Sequence, residues 1–160
     1  IGHSRGGGIS VIKAFEDERV KLLISLAGVS NFKYRFPNQQ RFEDWKSSGV
    51  FYSENGRTHQ KMPHYFQFFE DFEENEERFT IQYAAQHLAK PFLIIQGTDD
   101  DAVKDKEAFL LNEWCKTSEL VIMENANHTF GAKEPWTENG LPDQLNKATS
   151  LATDFLKAHL

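Results

Sequence analysis

The chain has 160 residues, of which 39% are hydrophobic and 26% are charged, and its formal net charge at pH 7 is −6. These values predict one globular domain with a buried core, and the negative charge argues against nucleic acid or an anionic membrane surface as a partner. The longest apolar runs, at residues 22–27 and 92–95, are too short to span a bilayer. A single cysteine, Cys115, excludes an internal disulfide framework and is typical of a reducing, cytoplasmic compartment, although a signal peptide upstream of Ile1 would lie outside this sequence.

The chain begins with a G-x-S-x-G pentapeptide at residues 2–6, followed by two more glycines. This pattern is typical of a nucleophile elbow, a sharp strand-to-helix turn that holds a strained serine with its hydroxyl clear of the sheet. Glycines are expected on both sides of the serine because a Cβ there would collide with the neighbouring strand or helix. An elbow normally follows a strand, yet only Ile1 precedes it, so we expect the sequence to be the C-terminal part of a larger protein.

The remaining elements follow from apolar periodicity and from short apolar runs. These patterns predict, in chain order, helix 7–15, strand 20–27, strand 91–96, helix 105–115, strand 119–123 and helix 142–159. In the first helix Ile9, Ile12 and Phe15 stand at helical spacing. The alternation of strand and helix predicts an α/β fold in which helices flank a parallel sheet.

Residues 31–80 interrupt this alternation and hold a large share of the aromatic residues. Within them Tyr65, Phe68 or Phe69, and Phe72 stand at helical spacing, with acidic residues on the rest of the turn. This spacing predicts an amphipathic helix that packs on the core and exposes an acidic face. The alternative is a lid whose aromatic face lines a substrate pocket, and both can hold at once. We therefore expect one domain over residues 1–160 with a helical, lid-like insert.

Candidate catalytic residues follow the predicted strands. A serine nucleophile needs a base to take its proton, and the base needs an acid to fix its tautomer. An acidic turn with Asp99, Asp100 and Asp101 follows strand 91–96, and a loop with His128 follows strand 119–123. Together with Ser4 these residues give the chain order Ser, Asp, His at the edge of a parallel sheet where active sites collect.

Three segments of the chain, I-G-H-S-R-G-G-G, P-F-L-I-I-Q-G-T-D-D-D-A-V and N-A-N-H-T-F-G, resemble the α/β-hydrolases. The resemblance lies with the dienelactone-hydrolase and prolyl-oligopeptidase-like branch, and it implies the C-terminal half to two-thirds of that fold, with the N-terminal strands absent. In this family the acid stands three residues after a strand-end glycine and three before a valine. Gly97 and Val103 then place the acid at Asp100, with its two acidic neighbours as alternatives. Lys104 stands where the family often has proline, a departure that leaves the catalytic positions untouched.

The resemblance implies a cofactor-free serine hydrolase that cleaves a small-molecule carboxylic ester, thioester or amide. It assigns Ser4 as the nucleophile, His128 as the general base and then acid, and Asp100 as the residue that orients the imidazole. One oxyanion donor is expected at the backbone N–H of Arg5, and the second on a loop outside this sequence. The 160 residues alone are therefore expected to be inactive and unstable. The alternatives are a serine peptidase of the prolyl-oligopeptidase type and a non-catalytic α/β-hydrolase-fold binding module.

Of the six histidines, only His128 has this context. His3 lies inside the elbow and is expected to be structural, with contact to substrate as the alternative. No two histidines have the H-E-x-x-H spacing, and one cysteine cannot build a thiolate zinc site, so no metal site is expected.

Overall fold

The computed structural model describes residues 1–55 and 58–160. The strands of the described residues are β1 (Gly2–His3), β2 (Leu23–Leu26), β3 (Val50–Glu54), β4 (Lys61–Tyr65), β5 (Phe92–Gly97) and β6 (Ser118–Met123). The helices are α1 (Arg5–Glu16), a 3-10 turn (Lys33–Arg35), α2 (Gln39–Ser48), α3 (Gln67–Glu74), α4 (Ile81–His87), α5 (Asp105–Trp114) and α6 (Asp143–His159). None of these helices is both long enough and apolar enough to cross a bilayer.

The chain forms two compact units, which we call the main unit (Ile1–Asn31 with Thr80–Leu160) and the insert unit (Phe32–Phe79). The main unit holds one four-stranded sheet in the order β1-β2-β5-β6, and every neighbouring pair is parallel. The predicted parallel sheet flanked by helices is confirmed. Strand β2 begins at Leu23, three residues later than predicted. Leu23 pairs with Phe92 and donates its N–H to the carbonyl of Pro91, which has no N–H with which to extend the ladder.

Helix α1 faces the main unit's interior with a different stripe from the predicted one. Ile12 is buried as expected, but Ile9 is 49% exposed and Phe15 is 38% exposed. The buried face instead contains Gly7, Gly8, Val11, Ile12 and Ala14. Because two glycines let the helix backbone come close to the sheet, the face that carries them turns inward and displaces the bulkier residues.

Glycine determines how closely α1 approaches β2. A Cβ on Gly7 would lie 2.6 Å from the Oγ of Ser25 and 2.7 Å from the Cα of Gly28. A Cβ on Gly2 would overlap the carbonyl group of Gly6, whereas a Cβ on Gly6 would meet no described atom within 4 Å outside its own helix backbone. The expectation that both ends of the pentapeptide exclude a Cβ is therefore wrong for Gly6, and Gly7 takes that role.

Helix α6 buries one face against β2, β5 and β6. Ala148, Ala152 and Phe155 are buried in one cluster with side chains of β2, β5 and β6, among them Ile24, Leu93, Ile95 and Met123. Strand β5 is buried along its whole length, which explains its continuous apolar run.

The insert unit contains an antiparallel hairpin of β3 and β4 between helices α2 and α3, and sequence analysis did not predict that hairpin. Tyr65, expected in a helix, is the last residue of β4, and helix α3 begins two residues later. The aromatic rings pack mainly on each other. Phe36 lies 5.1 Å from Phe72 between ring centroids, and Trp45, only 2% exposed, lies 5.1 Å from Phe51. The insert unit thus has an aromatic core of its own.

We expect Gly7→Ala to destabilise the fold by about 1–3 kcal/mol, because the new methyl group forces α1 away from β2. Gly6→Ala is the matched control one residue earlier in the same helix. It should leave the free energy of unfolding unchanged or raise it by up to about 1 kcal/mol, since alanine favours helix over glycine. Urea unfolding of the full-length protein measures both, and equal midpoints for the two variants would contradict the close-approach explanation.

Candidate active site

Ser4 occupies the turn between β1 and α1 with φ 56° and ψ −125°. A serine with positive φ is strained, so its surroundings must hold it. Its N–H donates to the carbonyl of Leu26 at 2.9 Å, and its carbonyl accepts from Gly7 at 2.9 Å and from Val29 at 3.2 Å. These bonds fix the peptide groups on both sides of Ser4 and therefore fix the direction of its side chain.

His128 lies between the predicted nucleophile and the predicted acid. Its Nε2 is 3.0 Å from the Oγ of Ser4, and its Nδ1 is 2.8 Å from Oδ2 of Asp100. The structure thus brings the three residues, which are up to 124 positions apart in sequence, into one continuous chain of hydrogen bonds. The carboxyl group of Asp100 is fully buried, and the imidazole of His128 is 24% exposed.

Asp100 differs from its two acidic neighbours in burial and in partners. Asp99 and Asp101 are both exposed. The carboxylate of Asp99 accepts from the hydroxyl of Thr98 at 3.2 Å, and that of Asp101 forms an ion pair with Lys104 at 2.7 Å. The position that the family pattern selects is therefore the one whose carboxylate reaches the imidazole.

The pKa of Asp100 is lowered from its ordinary value of 3.8. Burial acts in the opposite direction, but the backbone N–H of Val103 and the imidazole of His128, followed by the side chain of Gln96, outweigh it. Oδ1 accepts from the N–H groups of Ala102 and Val103, both at 2.8 Å. The ionised carboxylate stabilises the fold above pH 3.8, and that contribution is lost as the pH falls through the lowered folded value.

Gln96 is a site residue that sequence analysis missed. Its side chain is buried near the end of β5, and its Nε2 donates to Oδ2 of Asp100 at 3.1 Å and to the carbonyl of Val103 at 3.0 Å. Both partners are acceptors, so the amide must present its NH2 group to them. The available signal was a polar amide at the end of an apolar strand, directly before the acidic turn.

The acidic turn and the loop of His128 (residues 124–131) are joined by their backbones. Asp99 donates its N–H to the carbonyl of Ala126 at 3.0 Å, and Asn125 donates its N–H to Oγ1 of Thr98 at 2.8 Å. A Cβ on Gly97 would overlap the carbonyl of Ala126, so only glycine allows the two segments to lie this close.

His3 also contacts the His128 loop. Its Nε2 lies 2.8 Å from the backbone carbonyl oxygen of His128, and the two ring centroids are 4.7 Å apart at 42°. A carbonyl only accepts, so Nε2 of His3 carries the proton and donates it. The side chain is otherwise exposed.

Arg5 follows Ser4 as the first residue of α1, so its backbone N–H lies at the N-terminus of a 12-residue helix. The first turn of this helix contains no acidic residue, so no carboxylate of that turn offsets the positive end of the helix dipole. This is an environment in which a negative oxygen is stabilised.

The other histidines have separate partners. In the insert unit, His59 pairs with Glu54 at 2.7 Å and His64 lies 2.7 Å from the hydroxyl of Ser53. Over residues 1–55 and 58–160, no three His, Cys, Asp or Glu side chains are grouped as a metal site.

No protein-family profile matches the chain, and no curated protein matches it by sequence. Solved structures do match. A soluble variant of monoglyceride lipase from Saccharomyces cerevisiae, in complex with a substrate analogue, has a TM-score of 0.70 and 17% identity over 99% of this chain and 64% of its own. A monoacylglycerol lipase from Paleococcus ferrophilus has a TM-score of 0.67 and 14% identity over 98% and 66%. Est1E from Butyrivibrio proteoclasticus has a TM-score of 0.66 and 16% identity over 99% and 59%.

The chain spans 59% to 66% of the length of these three structures. Identities this low establish the fold and nothing finer. A parallel sheet flanked by helices is the architecture that this chain shares with the matched structures, and the chain therefore has the α/β-hydrolase fold.

Proposed function

We propose that this chain supplies the catalytic triad of a serine hydrolase that cleaves a carboxylic ester, or a thioester or amide, through an acyl-enzyme on Ser4. The observation that carries the proposal is the hydrogen-bond chain from Ser4 through His128 to a buried Asp100. Two matched structures are described as monoglyceride or monoacylglycerol lipases, and a third as an esterase domain from Rhodothermus marinus, which supports an ester as substrate.

The tautomer of His128 follows from its partners. The carboxylate of Asp100 can only accept, so Nδ1 of His128 carries a proton and Nε2 is left with a lone pair toward the hydroxyl of Ser4. When Oγ attacks the substrate carbonyl carbon, Nε2 takes the hydroxyl proton and a tetrahedral oxyanion forms. The backbone N–H of Arg5 at the start of α1 is the donor that we assign to this oxyanion.

Collapse of the tetrahedral species breaks the bond to the leaving group, which takes the proton from the imidazolium of His128. Water then attacks the acyl carbon and gives a proton to Nε2, which forms a second tetrahedral species. Its collapse breaks the bond to Oγ of Ser4, which takes the proton back from the imidazolium as the acid is released. The imidazolium formed in each half-reaction lies 2.8 Å from the carboxylate of Asp100, which stabilises the positive charge.

Labelling of the full-length protein with a fluorophosphonate probe should modify Ser4, because the probe requires an activated serine. Ser4→Ala should abolish labelling without changing the melting temperature. Ser53→Ala is the matched control, since its hydroxyl also contacts a histidine, His64 at 2.7 Å, but belongs to the insert unit. Peptide mapping identifies the modified residue. Modification of a residue other than Ser4 would contradict the proposal. No modification of folded protein would also contradict it and would favour a binding role.

Asp100→Asn should lower kcat for ester hydrolysis by about 10³–10⁴-fold, because the amide no longer fixes the productive tautomer of His128. Asp99→Asn and Asp101→Asn place the same change on the exposed neighbours and should stay within about twofold of wild type, since surface contacts of this kind contribute little. Steady-state kinetics with p-nitrophenyl esters gives the three values. A loss shared equally by all three variants would show that Asp100 has no special role.

Gln96→Met should lower kcat by about 3–10-fold at unchanged KM, because methionine fills the same volume but does not donate to Oδ2 of Asp100. Gln96→Glu should lose more, since a second carboxyl beside Asp100 disfavours ionisation of both. Thermal melting checks that the variants are folded. A Gln96→Met enzyme with wild-type kcat would show that the amide only fills space.

A further inference from the structure

The triad joins two strands that are not neighbours. Ser4 follows β1 and His128 follows β6, and the sheet order places β2 and β5 between them. With neighbouring strands about 4.8 Å apart, the ends of β1 and β6 are separated by about 14 Å. The loop of residues 124–131 must therefore carry His128 across the ends of β5 and β2 to reach the hydroxyl of Ser4.

Hydrogen bonds to the acidic turn and to α6 hold this loop at its start. Asn125 and Ala126 bond to the acidic turn after β5, and the carbonyl of Asn125 also accepts from Nε2 of Gln144 in α6 at 2.7 Å. None of these bonds reaches β1 or the serine turn. They leave the position of the loop at His128 to contacts further along it.

His3 makes such a contact from the strand that carries the nucleophile. It is the residue directly before Ser4, and it donates to the backbone carbonyl of His128 at 2.8 Å. The bond uses the backbone of His128 and leaves both ring nitrogens to Ser4 and Asp100. It can therefore persist while the ring gains and loses its proton.

We propose that His3 is a positioning residue, which anchors the His128 loop to the serine turn and thereby keeps Nε2 of His128 within reach of the Ser4 hydroxyl. This inference rests on the proposed function, because it assigns His3 a part in the same reaction. His3 acts through the backbone of His128 and does not touch the reacting atoms. Since its side chain is exposed, removing it leaves no buried cavity, and the fold should tolerate the change.

Three substitutions distinguish the effect of the His3 ring from the effect of its hydrogen bond to the carbonyl of His128. His3→Gln keeps an N–H donor three bonds from Cβ, as in histidine, but has no ring. His3→Phe keeps the ring beside His128 without a donor, and His3→Ala removes both. His87→Phe is the matched control, because His87 is exposed and its Nδ1 lies 2.8 Å from a backbone carbonyl, that of Tyr83, away from the triad.

The experiment measures the acylation rate of Ser4 in the full-length protein, from fluorophosphonate labelling and from the burst with a p-nitrophenyl ester, alongside kcat and KM. We expect His3→Phe and His3→Ala to acylate about 3–10-fold more slowly, which corresponds to the loss of one hydrogen bond. The substrate dissociation constant, taken from the dependence of the burst rate on ester concentration, should stay unchanged. His3→Gln and His87→Phe should stay within about twofold of wild type, and all four variants should melt with wild-type midpoints.

Wild-type acylation by His3→Phe would overturn the positioning role while the proposed function stands. The role is also overturned if His3→Gln is as slow as His3→Ala, because the donor would then not matter. If wild-type protein shown to be folded is not labelled at Ser4, the proposed function fails and this inference fails with it.

Discussion

All four strands of the main sheet run in the same direction, and the placement of every proposed catalytic residue depends on this. Parallel strands end at one edge, so the segments after β1, β5 and β6 emerge together although long stretches of chain separate them. The site also requires that these segments contact each other closely. Glycine does this twice, where Gly97 lets the acidic turn lie against Ala126 and where Gly7 lets α1 lie against β2.

Burial of Asp100 gives the site its electrostatic character. A buried carboxylate is costly unless donors surround it, and here Ala102, Val103, Gln96 and His128 all bond to it. The result is an ionised group whose pKa lies below its ordinary value despite the burial. Because such a charge is held in place by these bonds, in the proposed reaction it would favour an imidazolium at His128 without any rearrangement of the surrounding groups.

Candidate site residues that stand in local sequence motifs could be found from the sequence, whereas those that are held by distant contacts could not. Ser4 and His128 stand in short motifs, and the spacing between Gly97 and Val103 selected Asp100. Apolar runs likewise predicted the main strands, since burial on both faces leaves a continuous signature. The contact of His3 with a residue 125 positions away has no such signature. In the insert, the helical spacing that starts at Tyr65 was misleading, because Tyr65 belongs to strand β4. A short apolar stretch can match the period of a helix and that of a strand equally well.

Gly7, Ser25 and Gly28 lie in contact where α1 crosses β2, and their atoms leave no space for an additional side-chain atom at Gly7 or Gly28. A larger side chain at any one of them would have to be matched by a smaller or displaced group at another, and two of the three are already glycine. The three positions therefore constrain one another sterically, so that a larger side chain at one of them strains the packing of the other two. A chimera that joined this α1 to a β2 from a different protein of the same fold would therefore shift the turn at Ser4 and stretch its 3.0 Å contact with His128.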